Sequence, residues 1–228
     1  MKKWSVVVAV AAVAILGLPI AFAENSGKPA ASVAGDPVQA AEPAIIDGYR
    51  SSHFGMTEAE VKKAIKADFS VDDSVKAVNE TERTTILIVP GKTLIPDSPP
   101  ATVSYIFGAS TAKLVQVNVV WGGAGGVEAK QIVPTTHALA TYFLDKGGYA
   151  KNSVAVNQGL PDGTVLVFRG ADAKGRMVVL QLVPIADPVD DKKAGKDKPI
   201  EFKTVMLRLS YIANPLKPDV YRIEKGRF

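Results

Sequence analysis

Apolar positions in this chain recur with two periods, and the switches between them mark out its elements. From His53 to Phe69, Val61, Ala64, Ile65 and Phe69 fall at helical spacing, with Lys62, Lys63 and Lys66 around the other side. Thr57 and Glu60 stand three residues apart in a capping-box pattern, each side chain placed to satisfy a backbone N–H at the helix start. Phe54 and Met56, just outside that cap, are expected to pack back onto the helix. Ahead of them, residues 45–53 read as a short strand or an extended lead-in. After the turn-prone Asp72-Asp73-Ser74 the period shortens to two, predicting strands at 83–89, 101–107 and 113–121. In the third of these, Val115, Val117, Val119 and Trp121 share one face, while Gln116 and Asn118 lie on the other.

Gly122-Gly123-Ala124-Gly125-Gly126 closes this stretch, and the helical period then returns. A second helix is predicted to begin between Glu128 and Pro134, where proline is tolerated in the first turn. Its stripe reads Ala138, Leu139, Tyr142 and Phe143, and Gly147-Gly148 stops it. Strands follow at 164–169, 176–183 and 202–212, and the charged stretch 187–199 reads as a solvated loop. In the last strand Val205, Leu207, Leu209 and Tyr211 oppose Thr204, Arg208 and Ser210. The order is therefore helix, strand, strand, strand, written twice, with the helices beginning about 75 residues apart. It predicts an α+β fold of two helix-plus-three-strand antiparallel halves, 45–126 and 127–228, each one-sided sheet covered by its helix.

The first 23 residues change the picture of where the chain works. Lys2 and Lys3 precede an apolar run from Val6 to Ile20, and Ala21-Phe22-Ala23 has the small-x-small pattern of a cleaved signal peptide. The run is short for a bilayer span, so export to the periplasm with no stable membrane anchor is expected. Residues 24–44, rich in Ala, Pro, Gly and Ser, read as a disordered spacer. Removing the leader leaves 205 of the 228 residues, with 25 basic against 23 acidic, a net of +2. That balance, with the export signal, argues against a nucleic-acid partner. There is no cysteine, so lipoprotein anchoring, disulfides and thiolate metal ligands are excluded.

The candidates for chemistry each meet a plainer explanation. The glycine loop 122–126 lies between strand and helix, where phosphate loops occur, but lacks the Gly-Lys-Ser/Thr ending and the GxGxxG spacing, so it reads as a linker. His53 and His137 are the only histidines, in no HxH or HxxxH spacing, so no metal site and no cofactor is expected. Ser51, Ser52 or Ser153 can be combined with a histidine and a carboxylate, but no GxSxG elbow supports a hydrolase. Asp72-Asp73 and Asp190-Asp191 sit in polar, turn-like sequence where solvation accounts for them. No catalytic residue is assigned.

Phe54-Gly55-Met56-Thr57 with Glu60-Val61 resembles the helix-start motif of small outer-membrane-assembly lipoproteins of the SmpA/OmlA type, whose lipid-bearing cysteine has no counterpart here. The repeated helix-plus-sheet order resembles the β-lactamase-inhibitory-protein fold, which implies two such units around one curved sheet. Residues 48–69 together with Val115 to Trp121 resemble exported proteins of alphaproteobacteria, which implies export and brings no activity. The expectation is a periplasmic protein acting by binding, with an envelope protein as partner and Gln116, Asn118, Thr204, Arg208 and Ser210 as the docking face. Two other classes stay open: a hydrolase whose site only the fold assembles, and a carrier of a small apolar ligand between helix and sheet. A histidine and carboxylate in a deep pocket would favour the first, a closed apolar cavity the second, and an open sheet face the docking module.

Overall fold

The computed structural model describes residues 42–70, 74–123, 125–185, 204–223 and 226. The expectations for the leader, for nearly all of the spacer, for Asp72-Asp73 and for the loop 187–199 with Asp190-Asp191 lie outside the described residues.

The first helix, α1, spans Glu58–Phe69 and begins as its capping residues dictate. Glu60 N–H donates to Thr57 Oγ1 at 3.3 Å, and Thr57 N–H donates to Glu60 Oε2 at 2.7 Å, so both arms of the box form. Val61, Ala64 and Ile65 are buried, and the helix stops at Ser70 in the left-handed region, φ 55. Phe54 and Met56 pack against the core. Thr57→Ala is expected to lower stability by about 1 kcal/mol, read as a fall in melting temperature.

Before α1, β1 (Gly48–Tyr49) and β2 (Ser52–His53) form a two-stranded hairpin. After it come β3 (Val75–Asn79), β4 (Thr84–Lys92), β5 (Ala101–Phe107), β6 (Leu114–Trp121) and β7 (Val127–Glu128). Helix α2 (Ala129–Lys146) follows, then β8 (Ala155–Gly159), β9 (Val165–Ala171), β10 (Met177–Ile185) and β11 (Thr204–Ile212). The fold is α+β: two helices against one nine-stranded sheet ordered β3-β4-β5-β6-β11-β10-β9-β8, with β7 beside the start of β11. Each pairing is antiparallel. All six strands read from alternation are present. Strands β3, β7 and β8 are additional. The two-residue β7 pairs with β11, while β3 and β8 are five-residue edge strands with weak alternation, each held by a single neighbour.

One face of this sheet is the core. Tyr105, Phe107, Val117, Val119, Trp121, Phe168, Val178, Leu180, Leu207 and Leu209 are all buried there, and Val61, Ile65, Ile132 and Phe143 of the helices join them. Each such side chain contributes roughly 1.5–3 kcal/mol on leaving water, which fixes the face that the helices cover. Phe143 stacks on Phe168 with centroids 5.4 Å apart, and Tyr49 of the hairpin lies 5.7 Å from Tyr211, so α2 and the hairpin sit on that same side.

Two details differ from the alternation pattern. Val115 was expected in the buried face, but a register shift pairs Phe107 with Leu114 and Ile106 with Gln116. Val115 is the extra residue of that bulge and is half-buried, while Leu114 takes the core position. On α2 the buried stripe is Ile132, Thr135 and Phe143 with Leu139 partly buried, and Tyr142 is 57 % exposed. The helix starts at Ala129, so Ile132 anchors the face and rotates Ala138 and Tyr142 off it. Pro134 stands past the first turn, inside the helix.

Gly122 makes the exit from β6 where a side chain has no room. Gly122 has φ +92, and a Cβ there would come within 3.1 Å of both Val205 O and Val127 N. It is a tight turn past the start of β11.

Candidate functional site

Alternation along the strands sends a second set of side chains to the face opposite the helices. Register places Ser104, Asn118, Ser210, Val179 and Arg169 in one row across β5, β6, β11, β10 and β9. The next row carries Thr102, Val120, Arg208, Gln181 and Leu166. On the other side of the first row stand Ile106, Gln116, Ile212 and Met177. Gln116, Asn118, Arg208 and Ser210 are therefore brought together as neighbours on one surface. Thr204 lies on the same face, four residues along β11 from Arg208 and beside Glu128.

This surface is less solvated than the sequence suggests. Ser210 is only 6 % exposed, and Gln116, Asn118, Thr204 and Arg208 are half-buried. Gln116 Nε2–H donates to Asn118 Oδ1 at 2.8 Å, and Arg208 Nη2–H donates to Gln181 Oε1 at 2.6 Å. Burial pulls the Arg208 pKa below its ordinary value, and Asp162 in the β8–β9 turn works against that pull. Asp162 forms no ion pair with it. The Nε of Arg208 and the Nε of Arg169 are both buried with no hydrogen-bond partner in the protein. The eight strands β3 to β6 and β8 to β11 contain no aspartate or glutamate.

Sequence reasoning missed Gln181 and Arg169. Gln181 was legible in the alternation of 176–183, opposite Leu180 and Leu182. Arg169 was not, because a shift between Leu180 and Gln181 against β9 alters the alternation ahead of it.

The other two functional classes meet the following geometry. His53 Nδ1 lies 3.2 Å from Asp47 Oδ2, but both side chains are half-exposed at the surface. The Ser51 hydroxyl donates to Asp68 Oδ1 at 2.6 Å, Ser153 is bonded to the backbone of Ala150, and Ser52 is buried on the far side of its strand. No Ser-His-Asp set is thereby assembled from them. His137 is exposed on α2. A partly open cavity of about 290 Å³ lies between the N-terminal segment, the end of α2 and the sheet, bordered by Tyr49, Tyr142, Tyr149 and Tyr211. Burial pushes the Tyr149 phenol up to about 12, and burial with the neighbouring tyrosines raises Tyr211 further. It is a phenol-lined recess and not a closed apolar cavity. Among the described residues no cluster of three or more His, Asp or Glu is placed to hold a metal, and no helix is long and apolar enough to cross a membrane.

No family model matches the chain, and neither curated proteins nor solved structures give a match.

Proposed function

We propose that this is an exported protein of the cell envelope that works by binding, docking a partner protein on the sheet face opposite its helices. The observation that carries the reading is one-sidedness. Both helices and the β1–β2 hairpin pack on the core face, and neither helix nor the hairpin lies over the other. On that other face Gln116, Asn118, Thr204, Arg208 and Ser210 form a mixed polar surface between Ile106, Val120 and Val179. Such a mixture of amides, hydroxyls, one cation and aliphatic side chains matches the make-up of a non-obligate protein interface. The leader pattern of residues 1–23 supports export to the periplasm.

The same reading extends to architecture. Strand order runs outward from a central β6–β11 pair to β3 at one edge and β8 at the other, and one helix precedes each quartet of strands. This mirrored order supports a tandem of two helix-plus-sheet units of the β-lactamase-inhibitory-protein type, with β3, β7 and β8 beyond the strands that alternation predicts.

The test combines Arg208→Glu with Asn118→Lys. The double variant is expected to keep its folded circular dichroism and to lose capture of the partner that the parent retains from envelope extract. A photo-cross-linker at Asn118 should give a discrete adduct, and one at Lys66 on α1 should not. Unchanged capture by the well-folded double variant rules this face out.

A further inference from the structure

We propose that the outward sheet face recognises an acidic segment of the partner protein, with carboxylates taken by Arg169 and Arg208. This rests on the reading of that face as the docking surface.

The two arginines are diagonal neighbours across β10. Arg208 pairs with Gln181, Arg169 pairs with Val179, and both point to the face away from the helices. Strand spacing and rise put their Cα atoms roughly 12 Å apart. Carboxylates on one side of an extended chain recur about every 7 Å, so two such groups separated by two to four residues fall within reach of both guanidiniums.

The electrostatics point the same way. The two cations share a face on which, among the described residues, neither is ion-paired: Glu128 of β7, beside Thr204, pairs with Lys130, and Asp162 in the β8–β9 turn acts on Arg208 without forming an ion pair. A guanidinium presents five donors in a fork that matches a carboxylate. Here Arg208 has one hydrogen bond, through Nη2, and Nη1 has none, while its Nε and that of Arg169 are buried beneath the surface, so the Nη groups are the ones left for a carboxylate. Placing two partly desolvated like charges near one another with no ion-paired carboxylate is costly, and an anionic partner offsets that cost. A nucleic-acid or other polyphosphate chain is a poorer fit, because the described strands place one pair of cations on this face and the chain without its leader is nearly neutral. The surrounding Ser104, Gln116, Asn118 and Gln181 supply donors and acceptors suited to a peptide backbone.

The probe is a fluorescein-labelled peptide of alternating glutamate and valine, titrated by anisotropy against the full mature protein. Companion peptides carry glutamine or lysine in place of glutamate. The glutamate peptide is expected to bind at least about tenfold more tightly than the glutamine peptide, to weaken as salt rises, and the lysine peptide not to bind. Arg169→Gln and Arg208→Gln should each weaken binding about tenfold, with Arg→Lys at either site recovering part of it. Lys66→Gln, on the helix side, should change nothing. Melting curves of each variant confirm that it is folded. Equal binding of the glutamate and glutamine peptides overturns the proposal, as does binding indifferent to both substitutions, or none at all. If the cross-linker at Asn118 still yields its adduct in any of those cases, the docking surface stands and only its preference for acidic partners falls. If the adduct is absent too, both fall.

Discussion

Asp172→Ala is expected to destabilise the protein by about 3–5 kcal/mol, seen as a large shift of the urea midpoint at neutral pH. Asp172 sits in the β9–β10 turn and is 2 % exposed. Its Oδ1 accepts from Lys174 N–H at 2.9 Å and from Arg176 N–H at 3.0 Å. Its Oδ2 accepts from Arg176 Nε–H at 2.7 Å and from Ile46 N–H at 3.1 Å. One carboxylate thus shapes the turn, neutralises a largely buried guanidinium and ties down the segment that leads into the β1–β2 hairpin. Alanine leaves the Arg176 charge and three backbone donors without their partner, and the loss of one side of a buried pair dominates the cost. Burial by itself would raise the Asp172 pKa, but the hydrogen bonds from Ile46, Arg176 and Lys174 outweigh it and hold the carboxyl below its usual range. Since the folded value is depressed, this contribution is fully present above the ordinary aspartate value of the unfolded chain, and is lost as pH falls through the lower folded value. Parent stability should therefore decline in that acid range by more than Asp172→Ala declines. Asp172→Asn, which retains one acceptor, should lie between parent and alanine at neutral pH. A midpoint for Asp172→Ala equal to the parent's would show that the turn and the hairpin do not depend on this anchor.

Trp121→Ala should cost about 3–5 kcal/mol by the cavity it leaves. Trp121 ends β6, is 1 % exposed, and lies between Ala101 of β5 and Leu207 of β11, where the strands of the first and second stretches meet. Its neighbours are strand residues whose backbones are fixed by pairing on both sides, so the site has little freedom to collapse. The indole Nε1–H is buried without an acceptor, which makes this tryptophan a costlier occupant than its area implies. Trp121→Phe removes that unpaired donor along with part of the ring. It is expected to lose markedly less than the alanine variant, and urea unfolding of both separates the two terms. The other tryptophan of the chain is Trp4, so fluorescence of a protein made to begin at Glu24 reports Trp121 alone. An alanine variant as stable as the parent would mean that this junction is not a packed core.

Local patterns carried much of this molecule in plain view. The Thr57–Glu60 box, the stripe of Val61, Ala64 and Ile65, and the alternation in six strands are short-range signals. They follow from the capping of free N–H groups and from side-chain periods of 3.6 and 2, which neighbours along the chain settle among themselves. The same alternation told Gln116, Asn118, Arg208 and Ser210 apart from the buried face before any pairing was known.

Which strands stand side by side was a different matter, because pairing depends on contacts distant in sequence. That β6 lies against β11, joining the two stretches into one continuous sheet, places Asn118 beside Ser210. No local pattern states this. The bulge that displaces Val115 is likewise a property of the β5–β6 pair and not of either strand. The bond between Asp172 and Ile46, 126 residues away, exists only once the fold brings the two together. Arg169 and Arg208 were scattered cations in the sequence. Tertiary structure put them on one face as diagonal neighbours, because strand register, and not sequence distance, decides which charged groups share a surface.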